Sequence, residues 1–247
     1  MEEKEYYDKK YETHCHTREA SACATAAGEK QAEFYKARGF TGMIVTDHFV
    51  NGNTTAPREA SWEEKINILC SGYEAAKKRG DEIGIDVFFG WEYGYKGMDL
   101  LTYGFDKEWL LSHPEITDMS VKEYCDFVHS EGGLIVHAHP FREDWYIDMI
   151  RLVPRECDGC EVINSCRKDL ENSMASFYAD MYGLRRTAGS DNHHAKQSRL
   201  SGISTHERIQ SIEDFTRIIR SNRYRIFDEK EPEESAAALS PAAGSIV

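Results

Sequence analysis

Five predicted strands in this chain end in side chains able to bind a divalent metal, and that recurrence limits what the chain can fold into. Residues 11–16 run into His14-Cys15-His16, and 42–48 end in Asp47-His48. Ile85 to Trp91 delivers Glu92, Leu134 to Val136 leads into His137-Ala138-His139, and 186–189 lead into Ser190-Asp191-Asn192-His193. A strand alternates its side chains between two faces, so on regular strands His14/His16, His137/His139 and Asp191/His193 each project to one side. A single imidazole is more often a hydrogen-bonded core or surface residue. Its return at strand after strand favours one shared site of nitrogen and oxygen donors, suited to zinc, manganese or iron.

Helical segments separate these strands. Residues 28–38 are helical in composition with Gly39 as a stop, and Ser61 with Glu64 forms a capping box for a helix reaching Arg79. Residues 121–130 stop at Gly132-Gly133, and 170–182 and 212–220 complete the helices. Further strands are expected at 99–105, at 159–163 (with Glu161 and Asn164) and at 224–227, with 51–58 a loop. Alternating strands and helices with polar strand ends predict an α/β parallel barrel whose site lies on one rim. An open doubly wound sheet would instead gather its site at one switch point. A single barrel domain is expected over 11–228, after an extension at 1–10. Residues 229–247, rich in Glu, Pro, Ala and Ser, read as a flexible tail.

With 247 residues the chain can bury a large core, and its 40% hydrophobic and 30% charged residues describe an ordinary globular protein. A net charge of -13 argues against a nucleic-acid polymer or an anionic membrane as partner. The charged first residues carry no signal peptide, no apolar run could span a bilayer, and seven cysteines read as reduced thiols. A cytoplasmic location follows as the expectation. Cys157 and Cys160 read as core and turn residues, His113, His129 and His206 as structural or solvated, and Tyr6, Tyr7, Tyr146 and Met149 as packing.

The order His-x-His-Thr (14–17), Thr-Asp-His (46–48), Gly-x-Glu (90–92), His-Pro (139–140), Glu-x-x-Asn (161–164) and Gly-Ser-Asp-x-His (189–193) resembles the polymerase and histidinol phosphatase (PHP) family over about residues 11–227. The resemblance implies a distorted (β/α)7 TIM-like barrel with two or three divalent ions (zinc, manganese or iron) at its C-terminal rim. It places His14, His16, Glu92 and Asp191 on a first ion, Glu92 and His139 on a second, and His48 and His193 on a third. Two departures stand out. Asp99 occupies a position where members often have histidine, so Asp99, His137 or both are expected to complete the second ion's surroundings. Residues 18–23 lack the histidine or aspartate that members with a full third site carry there, and Asp47 is a further ligand or supporting candidate.

The implied chemistry is that of a metal-dependent phosphoesterase. Paired cations bring a bound water's pKa towards neutrality, so that a metal-bound hydroxide attacks a small phosphorylated metabolite or nucleotide. Asp191, His193, His48 and Arg142 are the expected catalytic residues, His48 or His193 giving a proton to the leaving oxygen if the third ion is missing. Arg142 is the first choice for clamping phosphate, followed by Arg18, Arg167 and Arg199. The alternatives are an amidohydrolase-like hydrolase of a non-phosphate bond and a metal-binding regulatory module without turnover.

Overall fold

Strands and helices alternate through residues 6–230, the part of the chain that the computed structural model describes. The strands are β1 (Lys9–Cys15), β2 (Gly42–Val45), β3 (Asp86–Tyr95), β4 (Met98–Tyr103), β5 (Leu134–Ala138), β6 (Gly159–Asn164), β7 (Arg185–Gly189), β8 (Arg199–Thr205) and β9 (Arg225–Lys230). The helices are α1 (Gly28–Ala37), α2 (Trp62–Ile83), α3 (Lys107–Ser112), α4 (Val121–Ser130), α5 (Asp169–Tyr182) and α6 (Ile212–Arg220). Ser61 and Glu64 form the expected capping box, and α2 runs past Arg79 until Gly84 takes a left-handed conformation. Residues 1–5 and 231–247, including most of the expected tail, lie outside the described residues. The expected bounds at 11 and 228 fall inside β1 and β9.

One sheet holds the strands in the order β7-β6-β5-β4-β3-β2-β1-β8-β9. It curls until β7 meets β1, and buried side chains join that seam. The Glu12 carboxylate accepts from the backbone N–H groups of His14 and Ser190, each at 2.8 Å. Thr13 donates to the Ala188 carbonyl, and Gln31 from α1 donates to the carbonyls of His16 and Asn192. Where the seam tightens, Cys15 and Asn192 form a parallel bridge. The result is a distorted α/β barrel. Its interior holds Tyr11, Ile44, Leu101, Tyr103, Val136 and Ala138, and α6 closes over it through Phe215 and Ile219.

The barrel departs from the expected parallel arrangement at β4, which runs antiparallel to both β3 and β5. The cause is the two-residue link Lys96-Gly97 between β3 and β4, both residues with positive φ. So short a link makes a hairpin; a parallel neighbour needs a crossover of a dozen residues or more. The reversal puts the start of β4 on the same rim as the ends of β3 and β5, with Asp99 opposite Gly94 and Ala138. β8 and α3 lie in segments with no predicted element. β8 offers only Leu200 and Ile203 as apolar residues around Gly202, and α3 is six residues long. Neither gives a clear periodic signal.

Among the described residues no helix is long and apolar enough to cross a membrane. None of the seven cysteines is in a disulfide, and Cys157 and Cys160 are buried.

Candidate metal centre

The end of β1 builds the centre of the site. His14 and His16 are fully buried and point into the rim, while Cys15 between them packs outward with Ala32 and Tyr35 of α1. Each ring is held by its Nδ1. His14 Nδ1 lies 3.0 Å from Glu161 Oε1, and His16 Nδ1 lies 3.0 Å from Ser21 Oγ. Ser21 spends its own proton on Asp47 Oδ1 at 2.6 Å, so its oxygen accepts from His16. With Nδ1 donating on each ring, the two Nε2 atoms face each other 3.1 Å apart, and in the neutral rings each presents a lone pair. Two lone pairs at that distance repel unless a cation or a shared proton lies between them.

Carboxylates complete the group. His14 Nε2 lies 3.5 Å from both Glu92 and Asp191, and His16 Nε2 lies 3.6 Å from Glu92 and 3.4 Å from Asp191. His139 Nε2 sits 3.1 Å from Glu92 Oε1. Glu92 Oε2 is buried, with His48 Nδ1 2.7 Å away. Burial opposes charge on His14, but Glu161, Asp191 and Glu92 outweigh it and raise its pKa well above the ordinary value. Burial, with His193 and His48, pushes His16 well below it. Burial also opposes ionisation of Glu92 and Asp191. His48 and His14 overcome it at Glu92, and His14 and His16 at Asp191, so both carboxyls stay well below their usual range. Imidazole nitrogens and ionised carboxylates converging in a buried site make a donor set that fits divalent cations.

Among the described residues four groups of donors are close enough to share an ion: His14/His16/Glu92, His14/His139/Asp191, Glu92/Asp99/His139 and His16/His48/His193. Seven of the eight expected ligands therefore meet at one rim. Two of them, His139 and Asp191, have positive φ, a conformation that costs about 1–3 kcal/mol and gathers at functional sites.

The eighth, His137, is not brought to the cluster. His137 keeps to the pleat of β5 and faces outward, its ring edge against Tyr178 of α5. His139 lies just past the strand end, where its positive φ turns the chain and breaks the two-residue alternation. Burial and the neighbouring His139 lower the pKa of His137 to about 3, so it is a neutral core residue. His137→Ala is expected to keep the full metal content and to lose about 1–3 kcal/mol of stability through the cavity it leaves. Metal analysis with a denaturant melt checks this, and loss of an ion would return His137 to the site.

Asp99 rather than His137 stands near the second group, where its carboxylate also takes Arg142 Nη2 at 2.8 Å. Asp47 acts one step back. It accepts from Thr17 and Ser21, and burial pushes its carboxyl up to about 6 against those hydrogen bonds. Arg142 and Arg167 line the cavity above the cluster, whereas Arg18 and Arg199 do not. Arg18 lies out in solvent near Glu19, and Arg199 is taken by Asp228 and Asp169 at the sheet edge. Tyr146, expected as packing, is 52% exposed and faces the same cavity, and Met149 is also exposed.

Ser21, Cys23 and Lys96 were not expected at the site. Lys96 arrives through the β3–β4 hairpin, whose direction local patterning does not reveal. Cys23 sits with its Sγ 3.2 Å from His48 Nε2. Burial raises its pKa, but hydrogen bonds to His193 and His48 outweigh this and bring the thiol to about 6. The signal for it was its place in the segment 18–23, where a donor was missed.

No protein-family model and no curated protein matches the chain. Solved structures share its fold. A two-domain protein of Bacteroides vulgatus, described as containing a predicted PHP-like metal-dependent phosphoesterase, has a TM-score of 0.67 at 12% identity, over 91% of this chain and 66% of its own. This chain thus spans a little under two thirds of that longer protein. PsfC from Pseudomonas syringae has a TM-score of 0.57 at 16% identity over 93% of each chain. An amidohydrolase from Chromobacterium violaceum has a TM-score of 0.52 at 15% identity over 75% of this chain and 88% of its own. The class is that of α/β barrels with a histidine–carboxylate cluster on the rim. Within it, the fold is the PHP-like one.

Proposed function

We propose that the protein is a metal-dependent phosphoesterase that hydrolyses a small phosphorylated metabolite or nucleotide, acting as a single barrel domain. The observation that carries this reading is the pairing of two features in one cavity of about 600 Å³. Its floor is the buried donor cluster, and its wall carries Lys96, Arg142 and Arg167 in a chain of net charge -13. Such a cavity suits a small anion.

His14, His16, Glu92 and Asp191 would hold one ion, Glu92 and His139 with Asp99 a second, and His48 with His193 a third. Zinc, manganese or iron bound there would supply an activated water and neutralise charge on a phosphoryl group. The chain's own residues do the rest. Arg142 is turned by Asp99 and faces Tyr146, and its buried Nε has no protein partner; Arg167 Nε is equally without one. Both arginines line the cavity, where their guanidinium groups would meet phosphoryl oxygens. His48 and His193 stand on the open side, placed to pass a proton to the leaving oxygen where no third ion occupies them. Seven cysteines outside any disulfide suit a reducing cytoplasm.

A panel of phosphorylated metabolites, nucleotides and amides, assayed with each metal in turn, tests the reading. Turnover of phosphoesters supports it. Preference for amides would give the non-phosphate hydrolase that the Chromobacterium neighbour motivates. Bound metal without any hydrolysis would leave a metal-binding regulatory module. Arg142→Ala is expected to keep its metals while kcat/KM falls by on the order of 10²-fold, as for loss of one oxyanion donor. Loss of the ions instead would make Arg142 a support for Asp99.

A further inference from the structure

Resting on the reading of this rim as a metal centre, we propose that Cys23 is a thiolate ligand of the third ion, completing a set of two imidazoles and one sulfur with His48 and His193. Both histidines present their Nε2 for this. His193 donates from Nδ1 to the Asp191 carbonyl at 2.8 Å, which leaves Nε2 as its free nitrogen. His48 has Nδ1 beside the Glu92 carboxylate, which favours a proton there, and its Nε2 faces Cys23 Sγ. The His193 ring lies 6.1 Å from that of His48, centroid to centroid, on the same side of the cavity.

The backbone fixes this meeting from both sides. Ser21 Oγ accepts from the His48 N–H at 3.0 Å, while the N–H groups of Thr25 and Ala26 donate to the His193 carbonyl at 2.9 and 3.2 Å. Ala22 donates to the Asn53 carbonyl and Thr55 to that of Ala20, pinning the loop to the far wall of the cavity. Cys23 thus lies two residues from the anchor on His48 and two from the anchor on His193. Its sulfur opens onto the cavity, while Cys15, the nearest other thiol in sequence, packs into the core.

Binding would proceed with loss of the thiol proton to solvent, the sulfur donating its pair to the ion as both imidazoles stay neutral. Two nitrogens and one thiolate favour zinc, cobalt or ferrous iron over manganese or magnesium. Three protein ligands also leave an open position facing the cavity, as catalytic ions require. The third ion would therefore differ in kind from those held by oxygen and nitrogen alone.

The test uses the full chain, stripped of metal and reloaded with cobalt(II), because sulfur bonded to cobalt gives a near-ultraviolet charge-transfer absorption that nitrogen and oxygen ligands lack. The band should appear in the unsubstituted protein and persist in Cys166→Ser, which removes the other exposed thiol. Cys23→Ser should lose the band and one bound ion, and Cys23→His should lose the band but keep the ion. Cobalt bound without the band in the unsubstituted protein, or a band that survives Cys23→Ser, would overturn the thiolate ligand and leave the phosphoesterase reading standing. A chain that binds no cobalt at all would sink both.

Discussion

Asp191→Ala or Glu92→Ala is expected to abolish turnover while leaving a folded barrel. Asp191 faces His14, His16, His193 and His139, and Glu92 faces His14, His16, His48 and His139. Each carboxylate therefore touches every donor group proposed for an ion. Removing one strips an anionic ligand from adjacent cations, whose charge in a buried site needs compensation. Loss of the ions withdraws several kcal/mol of transition-state stabilisation, and about 4 kcal/mol already corresponds to roughly 10³-fold in rate. The fold should survive because the seam is held by Glu12, Thr13 and Gln31, none of which uses either carboxylate. Metal analysis, kcat/KM and circular dichroism together check this. Full metal content with full turnover in either variant would remove that residue from the centre.

Strand ends were readable because their signal is local. An apolar run that stops at His, Asp or Glu marks the place where the chain leaves a buried sheet for a polar rim. That is why His14, His16, His48, Glu92, His139, Asp191 and His193 were legible together. His137 misled because alternation holds only while the strand is regular, and the break comes from a positive φ at His139 that no residue type announces. The direction of β4 was hidden for a related reason. Lys96-Gly97 is a short turn signal, but the expected strand began at 99 and obscured how short the link is. Arg199 shows the limit for charged residues. Partners such as Asp169 and Asp228 are distant in sequence and decide which arginines are already taken. Glu161 and Asn164 were visible as a motif, yet their task depends on packing: Glu161 orients His14, and Asn164 Nδ2 donates to Glu161 at 2.9 Å.

That support makes a glycine on β7 critical. A Cβ added at Gly189 would stand 2.5 Å from the His14 Cβ and 2.6 Å from Glu161 Oε1, with the His14 backbone nitrogen at 3.2 Å. Neither neighbour can yield easily. His14 N–H is bound by Glu12, and Glu161 Oε2 accepts from the His139 N–H and from Asn164. Gly189→Ala is thus expected to force either β1 from β7 or Glu161 from His14, at a cost of about 1–3 kcal/mol or more for overpacking. Losing the Glu161 contact frees the His14 ring to turn and should weaken metal binding by roughly 10–100-fold. Glu161→Gln isolates the Glu161 contacts, since it fills the same space but must turn its NH2 either on His14 Nδ1 or on the N–H groups of His139 and Asn164. It should weaken metal binding while leaving the approach of β7 to His14 intact, whereas Gly189→Ala should also strain the seam. If Gly189→Ala melted and bound metal like the unsubstituted chain, the close approach of β7 to His14 would not be what positions the first ion's ligands.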